Sequence, residues 1–377
     1  MTKILFFACD PGGANAIIPV IKTMSSSEMV VFGKNGALQK YQDNDLSGSD
    51  IAKQLKGDGL AAVAKFVKKY SPDLIITGTS ANDMTEKYLW QAAEKFKIPS
   101  LAILDQWMNY GIRFSRYGLA EIKKYEKNKV CDYQPTKILV MDSYAKRQLV
   151  KDGIRAEKII ATGNPYFEQI IKSKNSFSKE KIINLRQALG LDKSALTVLF
   201  ASEPFRTSYT DAKKYWGFTE EEILLALIDA LTKLTGKLKR GITLIIKLHP
   251  KEAADRYDHL IKQLASQQIN IIVEGSRPSL DLIMLADLVC GMFSMLLQEA
   301  LILNKPIVSI AIGLNRPTGF VLETRGLAKS IRSKRQLDLT LKKIIINKQL
   351  PKINLVLEPQ AIKKVIKVIK NYVQLSN

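Results

Sequence analysis

Leu288-Val289-Cys290-Gly291-Met292-Phe293-Ser294-Met295-Leu296-Leu297-Gln298-Glu299-Ala300 is the stretch that decides how this chain folds. A short apolar run at 288–290 reads as a buried strand, and a helical pattern opens at Ser294. Serine is a favoured helix N-cap. The first amides of a helix lack intrahelical partners and, with the helix dipole, attract anions. The amides of this helix start, with Met295 at its opening, and the Ser294 hydroxyl therefore form a candidate phosphate site. Glu299 is an acid on an otherwise apolar helix. A carboxylate so placed can accept two hydrogen bonds from a ribose diol, as acids do in dinucleotide sites. The same stretch also reads as a capped core helix with one exposed acid.

Upstream, an apolar strand at 243–248 runs into Lys247-Leu248-His249-Pro250. Proline disfavours helix in the residue before it, so it fixes the strand exit and presents His249 at the carboxyl edge of a sheet. An imidazole there can donate to a phosphate oxygen. A lone histidine is more often structural, and the Ser294 segment is what makes this one a ligand candidate. Cys9-Asp10-Pro11-Gly12-Gly13-Ala14-Asn15 makes a similar strand-to-helix handover without the GxGxxG dinucleotide fingerprint. Its glycines let a ligand approach the backbone. Asp10 reads either as the cap of a tight turn or as a general base for an acceptor hydroxyl.

Strand and helix patterns alternate along the whole chain. Apolar runs at 4–8, 30–33, 73–77, 100–104, 137–141 and 158–162 are separated by helical patterns near 14–24, 60–70 and 83–95. The second half continues with strands at 197–201, 243–248, 270–273, 288–290 and 306–310, and helices near 220–234, 253–265 and 295–303. Short apolar runs between amphipathic helices indicate parallel sheets in βαβ units. The expected fold class is α/β, with two Rossmann-like domains whose parallel sheets face a cleft. The expected domains are 1–172, a linker at 173–190 whose Ser/Lys-rich residues 173–182 also fit an exposed connecting helix start, 191–358, and a C-terminal helix within 359–377 that packs back on them. That helix has Ile362, Val365, Ile366 and Ile369 on one face and lysines on the other. Polar groups fall at predicted strand ends around Gly78-Thr79-Ser80, Asp105, Asn164, Ser202-Glu203-Pro204-Phe205-Arg206 and Arg316. Arg206 and Arg316 can neutralise phosphate or simply face solvent.

At 377 residues the chain suits two domains, and 46% apolar with 25% charged residues excludes whole-chain disorder. Three cysteines without CxxC spacing read as reduced cytosolic thiols, and two histidines exclude a multi-histidine metal centre. No run of 18 apolar residues predicts a membrane span. The net charge of +21 concentrates towards the end, where twelve Lys and Arg from Lys329 onward face only Asp338 and Glu358. That surface reads as a solvated basic face or as one for an anionic membrane or acceptor. Nucleic acid is not expected, since no aromatic residues interleave the basic ones and no recognition motif appears.

The Lys-Leu-His-Pro strand end and the pattern Gly-Met-Phe-Ser…Gln-Glu-Ala-Leu…Asn-Lys-Pro-Ile-Val at 291–308 resemble the nucleotide-binding half of GT-B enzymes. The groups most similar are bacterial capsule and polysialic-acid glycosyltransferases, CDP-glycerol glycerophosphotransferases and non-hydrolysing UDP-N-acetylglucosamine 2-epimerases. Thr162-Gly163-Asn164-Pro165 also resembles the end of the N-terminal domain in that superfamily. The resemblance implies donor-phosphate contacts from His249 and Ser294 and a ribose contact from Glu299. Phe293-Ser294 supplies one serine where polysialyltransferase-like enzymes have a pair. Gly78-Thr79 stands where the epimerases have Gly-Asp, and they carry Ser-Gly-Gly in the serine loop.

The expected function is a metal-independent glycosyltransferase. It passes a sugar from a nucleotide-sugar donor to a cell-surface polysaccharide or glycolipid precursor, in the cytoplasm or at the inner membrane face. The alternatives are a UDP-sugar 2-epimerase, a CDP-glycerol or CDP-ribitol phosphotransferase, and a non-catalytic nucleotide-binding protein. The expected catalytic positions are Asp10, then Asp105, and His249. The expected donor contacts are Gly12, Gly13, Arg206, Lys247, His249, Pro250, Ser294, Met295 and Glu299. No metal and no cofactor beyond the donor substrate are expected.

Overall fold

Twelve short strands, most of them apolar, build two all-parallel sheets in a computed structural model that describes residues 2–24, 28–192, 194–208, 211–264 and 269–374. The first sheet holds β1 (Lys3–Ala8), β2 (Glu28–Gly33), β3 (Ser49–Asp50), β4 (Leu74–Thr77), β5 (Ser100–Ile103), β6 (Lys137–Val140) and β7 (Ile159–Ala161), in the order β3-β2-β1-β4-β5-β6-β7. The second holds β8 (Leu196–Ala201), β9 (Ile242–Lys247), β10 (Ile269–Glu274), β11 (Leu288–Gly291) and β12 (Ile307–Ser309), in the order β10-β9-β8-β11-β12. The sequence missed β3, which is only two residues long. The fold is α/β of the GT-B kind.

Burial on both faces explains why the inner strands, such as β1, β4, β5, β8 and β11, are apolar rather than alternating. Successive side chains of β1 point to opposite faces. Ile4, Phe6 and Ala8 pack with Ala14, Ile17 and Ile21 of the helix Pro11–Thr23. Leu5, Phe7 and Cys9 pack with Val63, Phe66 and Val67 and with Leu89 and Ala93 on the opposite side. In the second sheet the helix Glu220–Thr235 starts at a capping box formed by Thr219 and Glu222, and it buries Ile223, Leu224, Leu227 and Leu231.

The chain divides into two units, residues 1–169 with 356–377, and residues 170–355. The final helix, Ala361–Gln374, belongs to the first unit, where Val365 and Ile369 are fully buried in its core. Ile362 N–H donates to Glu168 Oε2 at 2.9 Å. Gly163 has φ +89°, and a Cβ there would stand 2.7 Å from that of Ala361. Glycine therefore suits both the turn and the close crossing of the returning chain. Residues 173–190, read as a linker from composition, carry the helix Lys179–Ala188, capped by Ser178, within the second unit. This is the exposed connecting helix that the composition also allowed, and none of its residues is fully buried. The helix expected at 253–265 starts only at Asp258, because residues 250–257 take turns that bury Tyr257. Residue 265 lies outside the described residues. Among the described residues no helix is long and apolar enough to cross a membrane.

In each sheet the strand order reverses beside the first strand of the unit, between β1 and β4 and between β8 and β11. Ligands of open α/β sheets bind outside the carboxyl ends at such switch points.

Candidate functional site

In the second unit, the exits of β8 and β11 lie side by side, with Ala201 paired to Gly291. Met292, Phe293 and Ser294 turn the chain from β11 into the helix Met295–Ile302. The Phe293 ring holds the turn from below, packed edge-on against Phe205 at 5.9 Å and tilted on Trp216 at 5.3 Å. Gly319 has no Cβ to strike that ring, which would lie 2.8 Å away. Ser294 is the N-cap, its Oγ accepting Leu296 N–H at 3.2 Å, and its hydroxyl hydrogen is left to donate outward. The amides of Met292, Phe293 and Ser294 are aimed at one carboxylate, Glu203, whose Oε2 accepts Phe293 N–H at 2.7 Å. Three successive amides on one anion make a nest. Burial pushes the Glu203 carboxyl up to about 7, against the pull of the amides, and Glu252 adds repulsion.

The exit of β9 is tied to the same place. Glu252 accepts His249 N–H at 2.7 Å and the Ser202 hydroxyl at 2.8 Å, so the His249 turn and the Glu203 loop share one carboxylate. His249 Nδ1 accepts Lys251 N–H at 3.1 Å, which assigns the imidazole proton to Nε2. Burial and the Lys251 charge hold its pKa below the usual histidine value. His249 is thus a neutral Nε2–H donor at pH 7. Pro250 is exposed beyond it.

Three of the other positively charged candidates have partners of their own. Lys247 Nζ donates to Gly275 O at 2.7 Å, bracing the exit of β10. Arg206 is in an exposed ion pair with Glu221 at 2.8 Å. Arg316 stacks over Tyr215 at 3.8 Å. Met295 and Glu299 are partly buried, whereas Gln298 is fully buried with neither amide atom partnered among the described residues.

In the first unit, Asp10 precedes the helix Pro11–Thr23 and its side chain makes no capping bond. Gly13 lies against Gly78, where an added Cβ on Gly78 would come 2.7 Å from Gly13 Cα, so the exits of β1 and β4 touch backbone to backbone. Gly12 makes room for Asp105, whose Oδ2 would sit 2.0 Å from a Cβ. These glycines serve close packing. Asp105 Oδ1 pairs with Arg113 Nη1 at 2.9 Å, and both side chains are almost wholly buried. Arg113 also donates to Thr79 Oγ1 at 3.0 Å. Burial raises the Asp105 pKa, with Arg113 opposing it. Asn164 Nδ2 donates to Asp105 O at 2.9 Å, joining the exits of β7 and β5. Behind them, the fully buried Glu86 accepts N–H bonds from Ser80 and Cys9, and burial pushes its carboxyl up to about 8. Asp10 is therefore the open carboxylate of this edge, and Asp105 is committed to Arg113.

Residues 111–343 match the family described as CDP-glycerol:poly(glycerophosphate) glycerophosphotransferase. The chain belongs to this family. The matched segment takes in Arg113 and the whole serine turn, so the Glu203, His249 and Ser294 loops all lie within glycerophosphotransferase-family sequence. Among solved structures, the UDP-GlcNAc 2-epimerase of Neisseria meningitidis bound to UDP-GlcNAc is 16% identical over 100% of both chains, with TM-score 0.68. The UDP-GlcNAc 2-epimerase of Methanocaldococcus jannaschii is 18% identical over 98% of this chain and 100% of its own, also at 0.68. Anabaena Alr3699/HepE in complex with UDP-glucose is 15% identical over 100% of this chain and 99% of its own, at 0.59. These likenesses show a shared fold. No curated protein sequence matches the chain.

Sequence reasoning missed the partners that organise this glycerophosphotransferase-family site. Glu203 was visible only as one polar residue among several at a strand end. Glu252, Glu86 and Arg113 carry no local motif, and only folding brings them to the strand exits.

Proposed function

We propose that this chain is a transferase that takes a group from a nucleotide-activated diphosphate donor, with CDP-alcohols such as CDP-glycerol as the first donor class, and passes it to a hydroxyl of a cell-surface glycan or glycolipid precursor. The observation that carries the reading is the turn at Met292–Ser294, where backbone amides converge on one anionic group, with the Ser294 cap hydroxyl on the same turn and the neutral Nε2–H of His249 tied to it through Glu252. Family membership supports CDP-glycerol over a nucleotide sugar. In this reading the donor phosphates replace the internal carboxylate, Ser294 and His249 donate to them, and Glu299 takes the ribose. The acceptor oxygen bonds to the phosphorus that carries the alcohol, and the bond from that phosphorus to the bridging oxygen breaks. The nucleoside monophosphate leaves with its charge held by amides and the helix dipole, and Asp10 takes the acceptor proton. Glycosyl transfer would use the same donor half-site with attack at the sugar carbon, and 2-epimerisation would need no acceptor.

The test is a donor screen on the full chain with CDP-glycerol, UDP-GlcNAc and the parent nucleotides. A donor at about 100 times its Kd stabilises a protein by about 2.7 kcal/mol. CMP release from CDP-glycerol that requires acceptor and is lost in Asp10→Asn supports the reading. Turnover of UDP-GlcNAc alone, with deuterium entering C2, would replace it with epimerisation.

A further inference from the structure

The phosphate nest of the second unit is already filled by the protein itself. Glu203 leaves β8 two residues after its end, and its carboxylate lies on the amides of Met292, Phe293 and Ser294. A carboxylate there contributes charge-assisted hydrogen bonds of the kind a phosphate oxygen would accept. The arrangement is not relaxed. Glu252, which holds the neighbouring His249 amide, repels Glu203, and burial disfavours its charge. Gln298 adds a separate sign of an unfilled site. It lies one turn beyond Ser294, and helix side chains lean towards the N-terminus. It is fully buried, yet both its amide atoms lack partners among the described residues.

We propose that Glu203 is a self-ligand of the donor site, an internal anion that must leave the Met292–Ser294 nest before a donor phosphate can enter, so that it sets donor affinity. This rests on the reading that the nest binds donor phosphate. Exchange is easiest when Glu203 is uncharged, because a neutral carboxyl holds the amides less strongly and does not repel phosphate. With its carboxyl near 7, donor affinity falls as pH rises from 6.5 to 8.5. If only the protonated form yields the nest, the fall is about 20- to 30-fold over that span.

Other groups face the same place and must be separated from it. His249 titrates below its usual range, Glu252 is raised by burial, the Tyr257 hydroxyl on Ser202 is raised well out of range, and Arg256 is paired with Glu220 at 2.9 Å. All of them remain in a Glu203 variant, so the ratio of wild-type to variant affinity isolates Glu203.

The experiment is calorimetric titration of the full chain with CDP-glycerol and UDP-GlcNAc, diphosphate diesters that do not themselves titrate near neutrality. Wild type, Glu203→Gln and Glu203→Ala are compared from pH 6.5 to 8.5, with thermal melts alongside. The expected result is binding at least tenfold tighter at pH 8.5 in both variants, with the pH dependence flattened, whatever happens to the melting temperature. If the variants bind like wild type with the same pH profile, Glu203 is a fixed brace; the exchange idea fails and the donor-site reading stands. If no protein binds either probe, the donor-site reading fails and the exchange idea goes with it. Weaker binding in both variants would overturn the proposal by making Glu203 a donor contact.

Discussion

Removing the Ser294 hydroxyl separates its two jobs. The Oγ caps the helix Met295–Ile302 by accepting Leu296 N–H at 3.2 Å, and its own hydrogen is available to a phosphate. Replacing a serine N-cap by alanine costs about 1 kcal/mol, whereas glycine costs only a few tenths. A hydrogen bond to a charged group is worth about 1.5–3 kcal/mol, which corresponds to about 10- to 150-fold in affinity. Ser294→Ala should therefore lose both stability and donor affinity. Ser294→Gly should lose the same affinity at nearly wild-type stability, and Ser294→Thr should keep both. Urea denaturation reads the first quantity and calorimetric titration with CDP-glycerol the second. If Ser294→Gly binds within twofold of wild type, the hydroxyl takes no part in donor binding and the argument from the turn is refuted.

Further outcomes follow from the first unit and the basic helix. Arg113→Met leaves the buried Asp105 carboxylate without its cation and should cost about 3–5 kcal/mol, with much of that recovered in the Arg113→Met, Asp105→Asn double variant. Equal losses in the single and double variants in denaturant melts would show that the pair is not coupled. Glu86 binds its proton more tightly folded than unfolded, so its contribution to stability is full below about pH 4 and is lost progressively up to about pH 8. The stability difference between wild type and Glu86→Gln should accordingly grow against wild type from pH 5 to 8 and level off above; a flat difference would place the carboxyl at an ordinary value. The exposed Lys363, Lys367 and Lys370 should help bind vesicles rich in phosphatidylglycerol, at about 1 kcal/mol each. Changing all three to glutamate should abolish co-sedimentation with such vesicles, and unchanged sedimentation would remove this face from consideration.

Much of the fold was readable in the chain itself. Strands buried on both faces must be apolar throughout, so the runs around β1, β4, β8 and β11 announce a parallel sheet without any partner being known. Proline after His249 and a serine before an apolar helix mark strand exits and helix starts by local backbone chemistry alone, so those two loops were also legible. The helix Lys179–Ala188 was legible only as one of two readings and the late start at Asp258 not at all, since exposed polar helices and turns look alike when no apolar face betrays them.

What surrounds the site was decided only by tertiary structure. The sequence gives no reason to join Glu203 to Phe293, 90 residues away, or Arg113 to Asp105 rather than to any other acid. Those pairings exist because parallel sheets bring strand exits from distant parts of the chain to one edge, where burial makes an unpaired charge costly and an available amide valuable. The opening stretch from Leu288 to Ala300 fixed a strand, a turn and a helix. Only the folded sheet showed that the turn already holds an anion.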